Sequence, residues 1–244
     1  MTQRDFPFYP GRPHALSGLQ WLVVLLSCGL GFLALIGAPR LLAGAVGLWV
    51  GAFLFAGLPL LALRLVAGSA WRALFPRLTA RDVWIGLAFV PVNLVVTVLT
   101  ALLVMRTSVT AANPVMAQIS EMQGLDLALF LARTLPQLLG EELVTILPFL
   151  AILALCTGAL KTGRKTAIAV AWLLSALLFG ALHLPTYDWN LLQALGVIGV
   201  ARLVLTAPFI LTKSVWSSTI AHVTNDWLLF GGFALLATLK AGGG

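Results

Sequence analysis

Charge is what this sequence has least of. Only 9% of its 244 residues are Asp, Glu, Lys or Arg, while 60% are hydrophobic. A soluble domain carries about 25% charged residues, so this chain cannot clothe a water-facing surface. Soluble globular, fibrous and disordered classes are excluded. Cysteine is nearly absent too: Cys28 and Cys156 both sit inside apolar runs, which excludes a disulfide framework and any Cys-based metal motif. Repeats and low-complexity stretches are missing, apart from Gly242-Gly243-Gly244. The N-terminus is polar and proline-rich, with Arg4 and Arg12, and no small-residue cleavage site follows a short apolar core. No signal peptide is expected. Residues 1–15 read as a short polar tail on a single membrane domain, 1–244.

What is present is a series of long apolar runs. A spanning helix needs roughly 20 apolar residues, and seven candidates appear, at about 16–36, 41–63, 83–105, 130–156, 167–184, 191–211 and 215–239. The fold class is therefore all-α, a polytopic membrane helix bundle of about seven transmembrane helices. The fourth run can begin earlier, because Leu127 to Arg133 is also helix-compatible. Arg64 to Arg77 alternates basic and aromatic residues, which suits an interfacial segment. Thr107 to Asp126, the most polar stretch, reads as a loop or short surface helix.

The net charge of +7 would suggest nucleic acid in a soluble chain. Here the basic residues fall between apolar runs, so they read as topology-setting charge beside anionic lipid, with no nucleic-acid partner. One side of the membrane would hold Arg4, Arg12, Arg64, Arg72, Arg77, Arg81, Lys161, Arg164, Lys165 and Lys213. The other would hold only Arg40, Arg106, Arg133 and Lys240. Lys and Arg on short loops mark the cytoplasmic face. The expectation is a multi-pass cell-membrane protein, N-terminus cytoplasmic and C-terminus opposite, in a bacterial inner membrane.

Ionisable groups within spans are costly and are functional candidates by default. Those that remain are Glu141 and Glu142 in the fourth span, His183 ending the fifth, Arg202 in the sixth, and His222, Asn225 and Asp226 in the seventh. The first three spans offer only Asn93 and a few hydroxyls. His222 and Asp226 are i,i+4 and share a helix face with Asn225 beside them, and Phe179 lies one turn beneath His183. Glu141 and Glu142 point about 100° apart, so one should face a cavity while the other does structural work. Pro136 and Pro148 flank the pair and Pro185 follows His183, all positions that kink or end helices.

The order Glu141-Glu142, Phe179-Gly-Ala-Leu-His183, His222-Val-Thr-Asn-Asp226 resembles the three motifs of the intramembrane glutamic endopeptidases. That family includes the type II CAAX prenyl endopeptidase and the lysostaphin-resistance-like proteins. The resemblance covers about residues 130–230, which it implies to be the catalytic core. It departs at one point: an Arg is usual four residues after the second Glu, and Ile146 stands there. Arg202, otherwise unexplained, is the candidate to supply that cation from a neighbouring helix. An inactive relative is the other consequence this departure leaves open.

The resemblance implies hydrolysis of a peptide bond in a membrane-associated protein or peptide, including C-terminal tail or sorting-tag processing. Glu141 with His183 would activate water, and His222 with the residue in the Asp226 position would bind the oxyanion. An ionised Asp226 cannot stabilise an anion, because that role needs donors. Either Asp226 is protonated, or it orients His222 while Asn225 donates. The resemblance also implies no cofactor. Zinc is the alternative, with Glu141, His183, His222 and Asp226 as its ligands, although the helical His-Glu-x-x-His signature is missing. Competing classes are a proton-coupled transporter, with the same groups as a relay, and an inactive membrane scaffold or immunity protein. The expected partners are membrane lipid and the membrane-associated substrate.

Overall fold

The computed structural model describes residues 4–9 and 11–242. Two helices, α1 (Gly18–Leu41) and α2 (Gly44–Ala67), form a hairpin. A capping box starts α1: the Ser17 hydroxyl takes the Gln20 N–H, and the Gln20 side chain takes the Ser17 N–H. Glycine makes the hairpin tight. A Cβ added to Gly31 would stand 2.9 Å from the Phe55 carbonyl oxygen. A 3₁₀ segment, Gly68–Leu74, leads to α3 (Ala80–Met105), which opens with a Thr79–Asp82 capping box. The polar stretch that follows holds one short helix, α4 (Pro114–Glu121), capped by Asn113 with Pro114 at its first position.

The second half carries the polar residues. Helix α5 (Gly124–Gly158) runs 35 residues straight through Pro136 and Pro148, so it begins earlier than residue 130. Helix α6 (Arg164–Leu182) ends at His183, and Pro185 lies in a 3₁₀ turn, Leu184–Tyr187. Then α7 (Leu191–Gln193) passes through a π-helical stretch, Ala194–Gly199, into α8 (Val200–Thr212), and α9 (Val215–Gly242) closes the bundle. Among the described residues six helices are long and apolar enough to cross a membrane. Helix α9, with 28 residues, matches them in length but carries the His222–Asp226 group. About seven spans is thus the architecture, all helical.

Residues 1–15 are not simply a polar tail. Phe6 and Phe8 are 1% and 3% exposed and belong to the main core, Phe6 packing on Phe149 of α5 and Phe209 of α8. Arg4 bonds both oxygens of Asp82 and the Arg77 carbonyl, while Arg164 clamps Asp5. That bond holds the Asp5 carboxyl below its ordinary range. Apolar phenyl rings override the composition of the segment because burying each removes a large area from water.

Helices α3 and α9 lie closest together at Gly86. A Cβ there would meet the Ser217 carbonyl oxygen at 2.6 Å, and the Ser217 hydroxyl donates to the Asp82 carbonyl at 2.8 Å. Backbone cannot yield cheaply to such a clash. Gly86→Ala should therefore destabilise the bundle by about 1–3 kcal/mol, read as a lower unfolding temperature in detergent; an unchanged temperature would show that the two helices do not approach this closely.

Candidate functional site

The site is built on a buried ion pair. Arg202 Nη2 of α8 donates to Glu142 Oε1 of α5 at 2.6 Å, and both side chains are wholly buried. The Arg202 guanidinium also lies over the Phe179 ring of α6, 4.7 Å from its centroid, a cation–π contact. The backbone near it is held by the Trp172 indole N–H, which donates to the Leu203 carbonyl at 2.9 Å. Ile146, at the position where the motif usually has Arg, is fully buried in the apolar core. The cation comes from another helix.

Glu142 also accepts a hydrogen bond from His222. Nδ1 of that imidazole is 2.9 Å from Glu142 Oε1, and a carboxylate accepts, so Nδ1 carries hydrogen. Arg202 Nη1 lies 3.2 Å from the same nitrogen. Two donors do not bond one another, so this contact is their shared approach to one acceptor. With Nδ1 committed, Nε2 is aimed the other way, 3.7 Å from Glu141 Oε2 and 3.6 Å from Asp226 Oδ2. These separations exceed a hydrogen bond.

The adjacent glutamates divide as their 100° offset requires. Glu142 is sealed with Arg202, whereas the Glu141 side chain is 14% exposed and beside His222. Glu141 is held by Gln137 Nε2 at 3.3 Å, one turn earlier on α5. Asn225, buried on α9, donates from Nδ2 to Asp226 Oδ1 at 2.9 Å. His183, half-buried at the end of α6, points Nδ1 at the Phe179 carbonyl, 2.9 Å away. A carbonyl only accepts, so Nδ1 carries hydrogen and Nε2 is the ring nitrogen left open. The Phe179 ring centroid lies 4.5 Å from that of His183 and 6.5 Å from that of His222, so one phenyl ring touches both imidazoles.

The structure thus gathers Glu141, Glu142, Arg202, His222, Asn225 and Asp226 in direct contact, with His183 joined to them through Phe179. The zinc set fares differently. Among the described residues no group of three or more His, Cys, Asp or Glu side chains is arranged to hold a metal ion.

Sequence reasoning missed Gln137 and Tyr187. The first was visible as an i,i+4 partner of Glu141. Tyr187 lies in an irregular turn, where no period could reveal it. It is buried, and Asn113 donates to its oxygen at 3.4 Å. Burial holds its hydroxyl above the usual tyrosine range against that Asn113 bond, and the nearby Asp226 and Glu141 push it further up. Tyr187 therefore stays neutral, its oxygen accepting from Asn113.

Comparison with known proteins bears on the same stretch of chain. Residues 123–228 match the family model of the Rce1-like type II CAAX prenyl endopeptidases. No curated protein matches the chain, and no solved structure does. The Rce1-like segment runs from the start of α5 into α9 and contains all three motifs, Glu141-Glu142, Phe179 to His183 and His222 to Asp226. Its apolar helices make this a multi-pass membrane protein, and the matched segment is similar to the CAAX-type endopeptidases.

The ion pair at the base of the site has a measurable consequence. Glu142→Gln keeps the shape but strands a buried guanidinium, which should cost about 3–5 kcal/mol. Detergent unfolding of the variant checks this, and a loss within about 0.5 kcal/mol, as for a surface change, would show that the pair does not anchor the site.

Proposed function

We propose that this chain is an intramembrane endopeptidase that cleaves a membrane-associated peptide or protein with water activated by Glu141 and His183. The observation that carries the reading is the aim of His222. Its Nδ1 is fixed on Glu142, and its Nε2 stands within 3.7 Å of Glu141 and Asp226 without bonding either. A carbonyl oxygen and a water molecule are the groups that such a gap can take.

In the reaction, Glu141 takes a proton from water while Nε2 of His183 accepts the other O–H as a hydrogen bond. The water oxygen bonds to the peptide carbon and the carbonyl electrons move onto oxygen. His222, when doubly protonated, keeps Nδ1–H on Glu142 and gives Nε2–H to that oxyanion. The carbon–nitrogen bond then breaks, and Glu141 returns its proton to the leaving amine. Asp226 accepts from Asn225 and faces Nε2, so its role is to stabilise the doubly protonated His222 across the gap. Low dielectric around the site strengthens each of these interactions.

The substrate class follows the Rce1-like match: a C-terminal tail or sorting tag on a membrane-anchored chain. The orientation proposed is N-terminus cytoplasmic, C-terminus opposite, in a bacterial inner membrane. It is supported by the contacts that join Arg4, Arg77, Arg164 and Lys213 at one end of the bundle through Asp82, Asp5 and Phe6. No metal takes part in the proposed steps.

The test compares peptide termini in membranes from cells carrying the native chain or Glu141→Gln. New termini should vanish with Glu141→Gln, by about a hundredfold or more, while the folded protein persists. Equal termini in both would overturn the reading. With purified enzyme, a chelator series should leave the rate unchanged, and a loss restored by added zinc would replace this mechanism with a metal-assisted one.

A further inference from the structure

Asn93 of α3 is a polar side chain in the middle of an apolar helix, 2% exposed. It lies outside the Rce1-like segment, which begins at residue 123. Its Nδ2 donates to Asn225 Oδ1 at 3.0 Å, and Asn225 Nδ2 donates in turn to Asp226 Oδ1 at 2.9 Å. The other Asp226 oxygen faces Nε2 of His222 at 3.6 Å. The chain of donors runs one way, from α3 toward the reacting groups.

The direction of that chain has a chemical cause. A carboxamide presents a donor at one end and an acceptor at the other. An ionised Asp226 only accepts, so Asn225 must turn its NH₂ group toward it, which leaves the Asn225 oxygen facing α3. Only a donor can meet that oxygen, and Asn93 provides one. Reversed, Asn225 would set oxygen against oxygen. Asn93 is poorly placed as a mere packing residue, because its own Oδ1 is buried without a partner, a loss that an apolar side chain of the same size would avoid. The close contact of α3 and α9 at Gly86 and Ser217 keeps the two asparagines in register.

We propose that Asn93 is a positioning residue for the peptidase reaction: it locks the Asn225 carboxamide so that Asn225 holds the Asp226 carboxylate in place, facing Nε2 of His222. This rests on the endopeptidase reading above. It extends the working site to a helix that none of the three motifs touches.

The test uses the full chain in detergent with an internally quenched prenylated CAAX peptide. Asn93→Leu should lower kcat by about tenfold and leave KM unchanged, because Asn93 does not touch substrate. In an Asn225→Ala background the same substitution should cost nothing further. Losses that multiply, or a change confined to KM, would overturn the proposal. The infrared carboxylate band of Asp226, assigned by difference from Asp226→Asn, gives a reading independent of turnover. Asn93→Leu should shift it as Asn225→Ala does, and an unmoved band would overturn the proposal. If the native chain cleaves nothing, or Glu141→Gln cleaves equally, the endopeptidase reading fails, and the infrared band alone decides whether Asn93 orients Asn225.

Discussion

The buried pair of Arg202 and Glu142 is the constraint on which the rest of the site depends. In an apolar interior a guanidinium and a carboxylate are stable only together, so α5 and α8 are held in one register. The same Glu142 oxygen accepts from Arg202 and from His222, which orients α9's imidazole, and Phe179 lies under the Arg202 cation while packing against both imidazoles. One carboxylate is therefore structural, and that is why its neighbour Glu141 is free to face the gap.

Around this pair the bundle is arranged to let backbones approach. Gly140, just before Glu141, accommodates Phe55 of α2: an added Cβ would stand 2.5 Å from its ring. Gly180 brings α6 against Ala194 at the start of the π-helical stretch, where a Cβ would meet the Ala194 carbonyl oxygen at 2.7 Å. Small residues of this kind are how membrane helices pack without a hydrophobic driving force between them. The π stretch ends three residues before Arg202, and its altered hydrogen-bond step turns the following helix relative to a regular α-helix. The cation then reaches Glu142 from a helix rather than from the usual position on α5.

Much of this was legible in the sequence. Apolar run length marked each long helix, and i,i+4 spacing placed His222 with Asp226 and Phe179 with His183. The cost of charge in lipid singled out Arg202. What could not be read has physical reasons. Phe6 and Phe8 sit in a polar segment with no periodicity, so their burial depends on partners, Phe149 and Phe209, that are distant in sequence. Asn93 was visible as a polar residue, but its partner, Asn225, is 132 positions away. Tyr187 belongs to a turn whose shape follows from Pro185 and Asn113 together.

The central claim is that Glu142, held by Arg202, accepts a hydrogen bond from Nδ1–H of His222 and so aims Nε2 at the reacting groups. The nitrogen-15 spectrum of the His222 side chain in the bilayer-embedded protein tests it most directly. The account predicts a protonated, hydrogen-bonded Nδ1 that loses this bond when Arg202 is replaced by Met. A bare Nδ1 with the proton on Nε2 alone would contradict it.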